Sequence, residues 1–403
     1  MLQPDENDPL PPDSLLAFRN FTEYLRINSA RPNVNYDSCV EFLERQAESL
    51  DLPVLVFRTT TGKPMVLITW TGTELGLPGI LFTSQMDVAP VCAIEWGHNP
   101  FAAEVANGRI YARGSQDSKS VGIQYIEAIR RMKTLRITLK RTIYLLFMPA
   151  ENFDGHDGMG GFVQTEDFVG LNVGYVLCPG EASPHPEFVV FTGERCVWNM
   201  DVHCQGDPSH GSFLNENTAG EIVTRVLHKC FAYRTKQKNK LIAQPNWTIG
   251  NVVTINLTKI EGGDETYMVP KEFVLSFECR IPPERQQAVE LEEEMAQWEE
   301  LSDTIRVQYT VKEPQIPLAS PDDIYWISLI EAAHVLKIQV KPQIFGGPTH
   351  RRHLHKAGVP VIGFSPINNT PMLSHIADEY LEIQTFLRGI TIYYEIFYAL
   401  GFA

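Results

Sequence analysis

Thr142-Ile143-Tyr144-Leu145-Leu146-Phe147-Met148 is a short apolar run that passes straight into Pro149-Ala150-Glu151-Asn152. Its length and composition read as a strand that ends in a loop bearing a carboxylate. Ser118–Lys133, just before it, carries helical spacing. Further apolar runs at Pro53–Arg58, Met65–Trp70, Ile80–Thr83 and Gly174–Leu177 read as strands around it. Two amphipathic helices, near Ser14–Asn28 and Tyr36–Leu50, open the chain, with Leu15, Leu16, Phe18, Phe21 and Leu25 at helical spacing. Strands alternating with helices imply an α/β fold with a mostly parallel sheet covered by helices on both faces.

The pattern changes near Gly193. From Val197 to Thr310 the order is strand, helix, strand, strand, helix, strand, which is the split β-α-β repeat of a ferredoxin-like α+β unit. After Pro314 the α/β pattern resumes, with helices near Pro321–Val335 and Tyr380–Leu400. The expected organisation is a discontinuous α/β domain, residues 1–192 and 315–403, interrupted by a smaller domain over residues 193–314.

With 403 residues, 44% of them hydrophobic, the chain can bury a full core. A formal net charge of -15 argues against nucleic acid as the main partner, because phosphate binding needs a basic surface. No apolar run is long enough to span a bilayer, and residues 1–14 lack the basic and apolar regions of a signal peptide. The seven cysteines are scattered and form no CxxC pair, which suits reduced thiols in a cytoplasmic protein.

In α/β sheets, ligand groups gather beyond the carboxyl ends of the strands. Ser84-Gln85-Met86-Asp87, Pro149-Ala150-Glu151-Asn152 and Cys178-Pro179-Gly180-Glu181 all occupy such places. Asp117 sits just before a helix, and Ser374-His375-Ile376-Ala377-Asp378-Glu379 supplies a histidine followed by two acids. Taken singly, each is more commonly a turn or cap residue. Together they give scattered carboxylates and imidazoles at loop positions, the way a hydrolytic metal site is assembled.

Their order and flanks sharpen this. Trp96-Gly97-His98-Asn99-Pro100-Phe101, the stretch Tyr111–Lys119, the strand and turn Asn256–Gly263, Arg280, and Gly363-Phe364-Ser365-Pro366 leading to His375 resemble the aminoacylase branch of the two-zinc amidohydrolases and metallopeptidases. The resemblance covers nearly the whole chain. It implies a homodimer whose catalytic domain is interrupted by a ferredoxin-like dimerisation domain. It also implies zinc as cofactor and hydrolysis of N-acyl-L-amino acids to a carboxylate and a free amino acid.

Position by position, the resemblance makes Asp117 the carboxylate bridging two zinc ions, Glu151 the general base and His375 the last histidine ligand. Asp87 matches the acid that orients the first histidine. His210 matches a histidine that reaches into the partner subunit's site to steady the oxyanion, while Arg280 and Arg352 match arginines that hold the substrate carboxylate. Three ligand positions depart from the pattern: Gln85 stands for the first histidine, Asn152 for the glutamate after the base, and Pro179 for a further acid. Tyr267 replaces an asparagine that contacts the substrate carbonyl.

Neutral amides are poor zinc ligands and proline is none, so at most one weakly bound ion is expected. Cys178 and Glu181 flank the lost acid, and His350 and His353 are additional imidazoles. A rebuilt site using Cys178 is chemically reasonable for zinc, although a cysteine closing a buried strand is the commoner arrangement. The expected function is an impaired or inactive aminoacylase-like protein that binds N-acyl amino acids. Two other roles stay open: partner subunit to an active relative in a heterodimer, and active aminoacylase with a rebuilt or mononuclear site.

Overall fold

The computed structural model describes residues 11–149 and 157–403. Its largest element is an eight-stranded sheet in the order Val54–Arg58, Pro64–Trp70, Ile143–Met148, Gly79–Gln85, Val173–Cys178, Val361–Phe364, Phe188–Glu194 and Val340–Phe345. The four central strands, from Ile143–Met148 to Val361–Phe364, run parallel to one another. Towards the margins, Pro64–Trp70 and Phe188–Glu194 pair antiparallel to them. The sheet is thus parallel at its centre and more mixed overall than the strand–helix alternation alone implies.

Alternation along the central strands shows why their sequences are apolar throughout. Ile80, Phe82, Leu145, Phe147, Tyr175 and Leu177 enter one buried cluster, packed with the helices Pro12–Arg26, Asp37–Ser49, Lys119–Thr134 and Ile383–Phe402. Their neighbours Leu81, Leu146, Met148, Val176 and Cys178 enter another, with Met159, Phe162, Phe168 and Leu354. Successive residues of a strand face opposite sides, so a sheet buried on both faces needs apolar residues at every step. Helix Lys119–Thr134 lies so close to the sheet that a Cβ on Gly122 would come within 2.7 Å of both Phe147 and Ser84. Only glycine permits that approach.

Two compact units divide the chain. The first runs to Phe191 and takes in Ala319–Pro342 and His350–Ala403; the second comprises Thr192–Leu318 with Gln343–Thr349. The second unit therefore extends past Pro314 and includes a short segment, Gln343–Thr349, that the sequence pattern grouped with the α/β part.

Within the second unit, an antiparallel sheet has the order Thr254–Glu261, Glu272–Ile281, Cys196–Gln205, Ile305–Lys312. In chain order that is second, third, first, fourth, the arrangement of a ferredoxin-like unit. Cys196, Trp198, Met200, Val202 and Cys204 alternate into its core beside the helices Ala219–Ala243 and Arg285–Glu299. The first of these helices is opened by a reciprocal Thr218–Glu221 capping box. It runs on to Ala243 through an Arg/Lys/Gln-rich stretch that favours helix.

Candidate functional site

Strands Gly79–Gln85, Ile143–Met148 and Val173–Cys178 deliver their carboxyl ends to one edge of the large sheet, where Gln85, Asp87, Cys178 and Pro179 follow. Glu151 and Asn152, at the corresponding end of Ile143–Met148, lie outside the described residues.

Asp117 and His375 meet. His375 Nε2 lies 3.3 Å from Asp117 Oδ2, with both side chains partly open to solvent. The hydrogen bond to Asp117 raises the His375 pKa above its ordinary value, with burial opposing it. What brings the two together is Glu379, a wholly buried residue whose role the sequence did not disclose. Its carboxylate accepts from the backbone N–H groups of Gln116 (2.7 Å), Gly114 (3.2 Å) and Asp117 (3.4 Å). It also accepts from Arg113 Nη1 at 2.8 Å and Ser115 Oγ at 3.4 Å. The successive amides of Gln116 and Asp117, joined by that of Gly114, form an anion nest around one carboxylate. Because Glu379 follows His375 by four positions, the nest fixes the Asp117 loop against the His375 loop. Asp378 extends the grip by accepting from Gly97 N (2.9 Å) and His98 N (3.0 Å). The one available signal was the run of two acids after His375.

Asp87 is 3% exposed and does not face an imidazole at position 85. Arg31 Nε approaches it at 3.4 Å, and the Tyr36 hydroxyl is hydrogen-bonded to it. Burial first, then Asp87, pushes the Tyr36 pKa up, so the phenol stays protonated. Gln85 is held through its backbone, donating from N to Ser118 Oγ at 3.1 Å.

Cys178 and His350, singled out separately in the sequence, form a pair. His350 Nε2 is 3.1 Å from Cys178 Sγ and 3.3 Å from Thr83 Oγ1. Burial, with Arg351, His353 and Arg352 nearby, lowers the His350 pKa to about 3, so its imidazole is neutral at physiological pH. With the imidazole neutral, the contact is no thiolate–imidazolium ion pair. Glu181, on the following loop, has its pKa raised by burial and then by Asp117, against the opposing charges of Arg351 and His375.

These spacings test the residues against zinc. Tetrahedral Zn–N and Zn–O bonds of about 2.0–2.2 Å set two ligands about 3.4 Å apart, and a Zn–S bond of about 2.3 Å widens the S–N spacing to about 3.5 Å. The Asp117–His375 contact fits one ion. The Cys178–His350 contact is spaced as a hydrogen bond and must open to admit a metal. Gln85 and Pro179 add no ionic ligand at the first position, which keeps only the bridging carboxylate of Asp117. Among the described residues, no group of three or more His, Cys, Asp or Glu side chains is arranged to hold an ion. Among the described residues, the side chains of a dinuclear set are not assembled.

The remaining candidates lie on separate units. Arg352 is buried in the short helix Arg351–Lys356 of the first. His210 is exposed on the second, in a two-stranded ribbon where Ser209–His210 pairs with Met268–Val269. Ser212 donates from its backbone N to His210 Nδ1 at 3.2 Å. Nδ1 is thus the acceptor, and the neutral ring carries its proton on Nε2, the form that can donate to an oxyanion. Arg280 donates from Nε and Nη2 to Glu278 two residues before it.

Comparisons with known proteins bear on the family and the fold. The family model described as peptidase family M20/M25/M40 matches residues 81–399. Aminoacylase-1 of Mus musculus is 38% identical over 377 residues, covering 93% of this chain and 92% of the relative. Aminoacylase-1 of Homo sapiens is 36% identical over 385 residues, covering 94% of each. Among solved structures, aminopeptidase PepT from Bacillus cereus superposes with a TM-score of 0.72 at 16% identity, covering 96% of this chain and 98% of its own. The YXEP protein of Bacillus subtilis, described as a dinuclear metal binding peptidase of the M20 family, gives 0.68 at 15% identity, with coverages of 96% and 98%.

Proposed function

We propose that this chain, which belongs to peptidase family M20/M25/M40 and to its aminoacylase branch, is an aminoacylase-like protein with a depleted metal site that binds N-acyl amino acids without the standard two-zinc hydrolysis. The observation that carries this is the lopsided site. Asp117 and His375 stand 3.3 Å apart in a prepared loop pair, while Gln85 and Pro179 offer no anionic ligand at the first position. Two zinc ions in one site would activate a water and polarise the scissile amide carbonyl. Without them Glu151 would have to deprotonate unactivated water. Arg280 and Arg352 supply guanidinium groups suited to the ligand's carboxylate, and His210 supplies an Nε2–H donor.

A related role is that of partner subunit, in a homodimer or with an active relative in a heterodimer, where His210 reaches the partner's site and this chain contributes no complete metal site. We place both roles in the cytoplasm, which scattered cysteines with no disulfide among the described residues suit. A second activity is favoured by one specific observation. The Asp117–His375 spacing accepts a single ion, so a mononuclear aminoacylase reaction is the alternative.

Zinc content of the purified full-length chain by mass spectrometry, with an assay of N-acetyl-L-methionine hydrolysis, tests the proposal. It expects at most one weakly held equivalent, removable by mild chelation, and no standard activity. Two tightly bound equivalents with turnover would overturn it. One equivalent with turnover would establish the mononuclear alternative.

A further inference from the structure

The margin of the large sheet carries a cavity lined by cations. Strand Val54–Arg58 forms that margin and turns back into Pro64–Trp70, with Arg58 opposite Pro64. Residues 59–63 make the turn: Thr59 N donates to Lys63 O and Gly62 N to Thr59 O, both at 2.9 Å. Gly62 takes φ +85° there, a left-handed conformation that suits glycine. Buried Asp157 fixes the turn by accepting from Thr59 Oγ1 at 2.7 Å and from Thr61, and by pairing with Lys63. Together with the stretch 31–37, which leads into helix Asp37–Ser49, the turn encloses a cavity of about 490 Å³.

Arg31, Arg58 and Lys63 line this cavity against a single acid, Asp37. In a chain of formal net charge -15, that is a local excess of positive charge. Two of the cations are steadied by carboxylates that do not line the cavity. Lys63 pairs with Asp157, and Arg31 Nε approaches Asp87 at 3.4 Å; the two acids are 5% and 0% exposed. Arg31 itself stays 41% exposed. Arg58 has no carboxylate partner among the described residues, and its Nη1 donates to Gly62 O at 3.0 Å. Exposed charge on an edge strand deters pairing with another chain. That role accounts for Arg58 alone, and gives no reason for Arg31 and Lys63 to share a cavity with it.

We infer that this cavity binds the phosphate group of a small phosphorylated molecule, with Arg58 and Arg31 as guanidinium donors and Lys63 as a point charge. Guanidinium forks match phosphate oxygens, and an ammonium adds charge without a fixed direction. Three cations outweigh one acid, and the net attraction grows with the charge of the ligand, which favours a phosphate dianion over a carboxylate. Helix Asp37–Ser49 starts at the cavity, so the positive end of its dipole adds to the field. The volume lies within the ~300–1,000 Å³ of small-molecule sites, and Val34 and Pro64 give the organic part an apolar wall. Asp117, His375, Cys178 and His350 do not line this cavity, so the assignment is independent of the proposed function.

Calorimetry on the full-length chain, at constant ionic strength in chloride, tests this with inorganic phosphate, phenyl phosphate and benzoate. Both phosphates should bind, phenyl phosphate about fivefold more tightly because its ring occupies the rest of the cavity. Benzoate, with one charge, should show no binding that depends on Arg58. Arg58→Gln, at an exposed position, should weaken both phosphates about tenfold, the value of one charge-assisted hydrogen bond. Asp37→Asn should tighten them about threefold by removing the one acid that lines the cavity. Absence of phosphate binding overturns the inference, as does phosphate affinity that neither variant changes. Benzoate binding that Arg58→Gln weakens as much as it weakens phenyl phosphate overturns the choice of phosphate. Equal affinity for the two phosphates overturns the organic part and assigns the cavity to free phosphate.

Discussion

His350 Nε2 stands 3.1 Å from Cys178 Sγ and 3.3 Å from Thr83 Oγ1, so one neutral imidazole joins the carboxyl ends of two neighbouring parallel strands. Beside the lost acid at Pro179, a neutral imidazole thus bridges two strand ends. Cys178 is fully buried, whereas Cys92 is exposed. A charged thiol reagent should therefore label Cys92 in the native protein and reach Cys178 only on unfolding. Cys178→Ala should lose about 1–3 kcal/mol in urea denaturation, from the hydrogen bond and the buried sulfur. Rapid native labelling of Cys178 would count against this arrangement.

Restoring the missing ligands should restore the metal. Gln85→His, Asn152→Glu and Pro179→Glu together return one imidazole and two carboxylates to the edge where Asp117 and His375 already stand 3.3 Å apart. Asp87 is in place to orient the new imidazole, provided it exchanges its Arg31 and Tyr36 contacts. The triple variant should retain close to two zinc equivalents after gel filtration, against at most one for the parent. No gain in zinc would mean that the loops have drifted beyond these three positions.

Glu379 should matter more for stability than either metal-facing residue. Glu379→Ala leaves the 4%-exposed Arg113 guanidinium and three backbone N–H groups without their carboxylate. Breaking one partner of a buried ion pair costs about 3–5 kcal/mol. Glu379→Gln, which keeps one acceptor oxygen, should cost less. Urea titration of both variants settles it, and a Glu379→Ala midpoint equal to wild type would refute the role given to the nest.

Much of the fold was legible in the sequence because its signals are periodic. The central strands are apolar at every position since both faces are buried, and Cys196 to Cys204 alternate since only one face of the smaller sheet is covered. The margins were less legible, because antiparallel pairing of Pro64–Trp70 and Phe188–Glu194 leaves no trace in local composition. At the site, Asp117 and His375 carry motif context and were named from it. Arg31, Tyr36 and Glu379 were not, since their contacts join residues far apart in the chain. The Arg113–Glu379 hydrogen bond, for example, spans 266 positions.

Acid should weaken the fold in a defined window. Burial, with Arg351 nearby, lowers the His355 pKa from 6.5 to about 4. Above pH 6.5 both folded and unfolded chains hold the ring neutral. Between pH 6.5 and 4 the unfolded chain takes up a proton that the native state resists, so stability falls as pH falls. Below about pH 4 both are protonated and the loss levels off. The full depression corresponds to a loss on the order of 3–3.5 kcal/mol, and His350, lowered to about 3, acts in the same direction. Melting temperature against pH should drop less steeply across this window for His355→Gln than for wild type. Parallel curves would refute the assignment.

The heterodimer role makes the sharpest demand on His210. The ring is exposed, its Nδ1 is committed to accepting from Ser212, and its Nε2–H is therefore the donor presented outward. Phe213, Leu214, Tyr267 and Met268 expose apolar side chains in the same ribbon region, surface that a partner subunit would cover. Co-expressed with an active aminoacylase, this chain should co-purify with it in a complex of fixed stoichiometry. His210→Ala should then lower the partner's turnover about 10²–10³-fold, the loss expected for one oxyanion donor, while leaving the complex intact. Unchanged turnover in an intact mixed dimer would rule out donation of His210 across the interface. Failure to co-purify would rule out the heterodimer role.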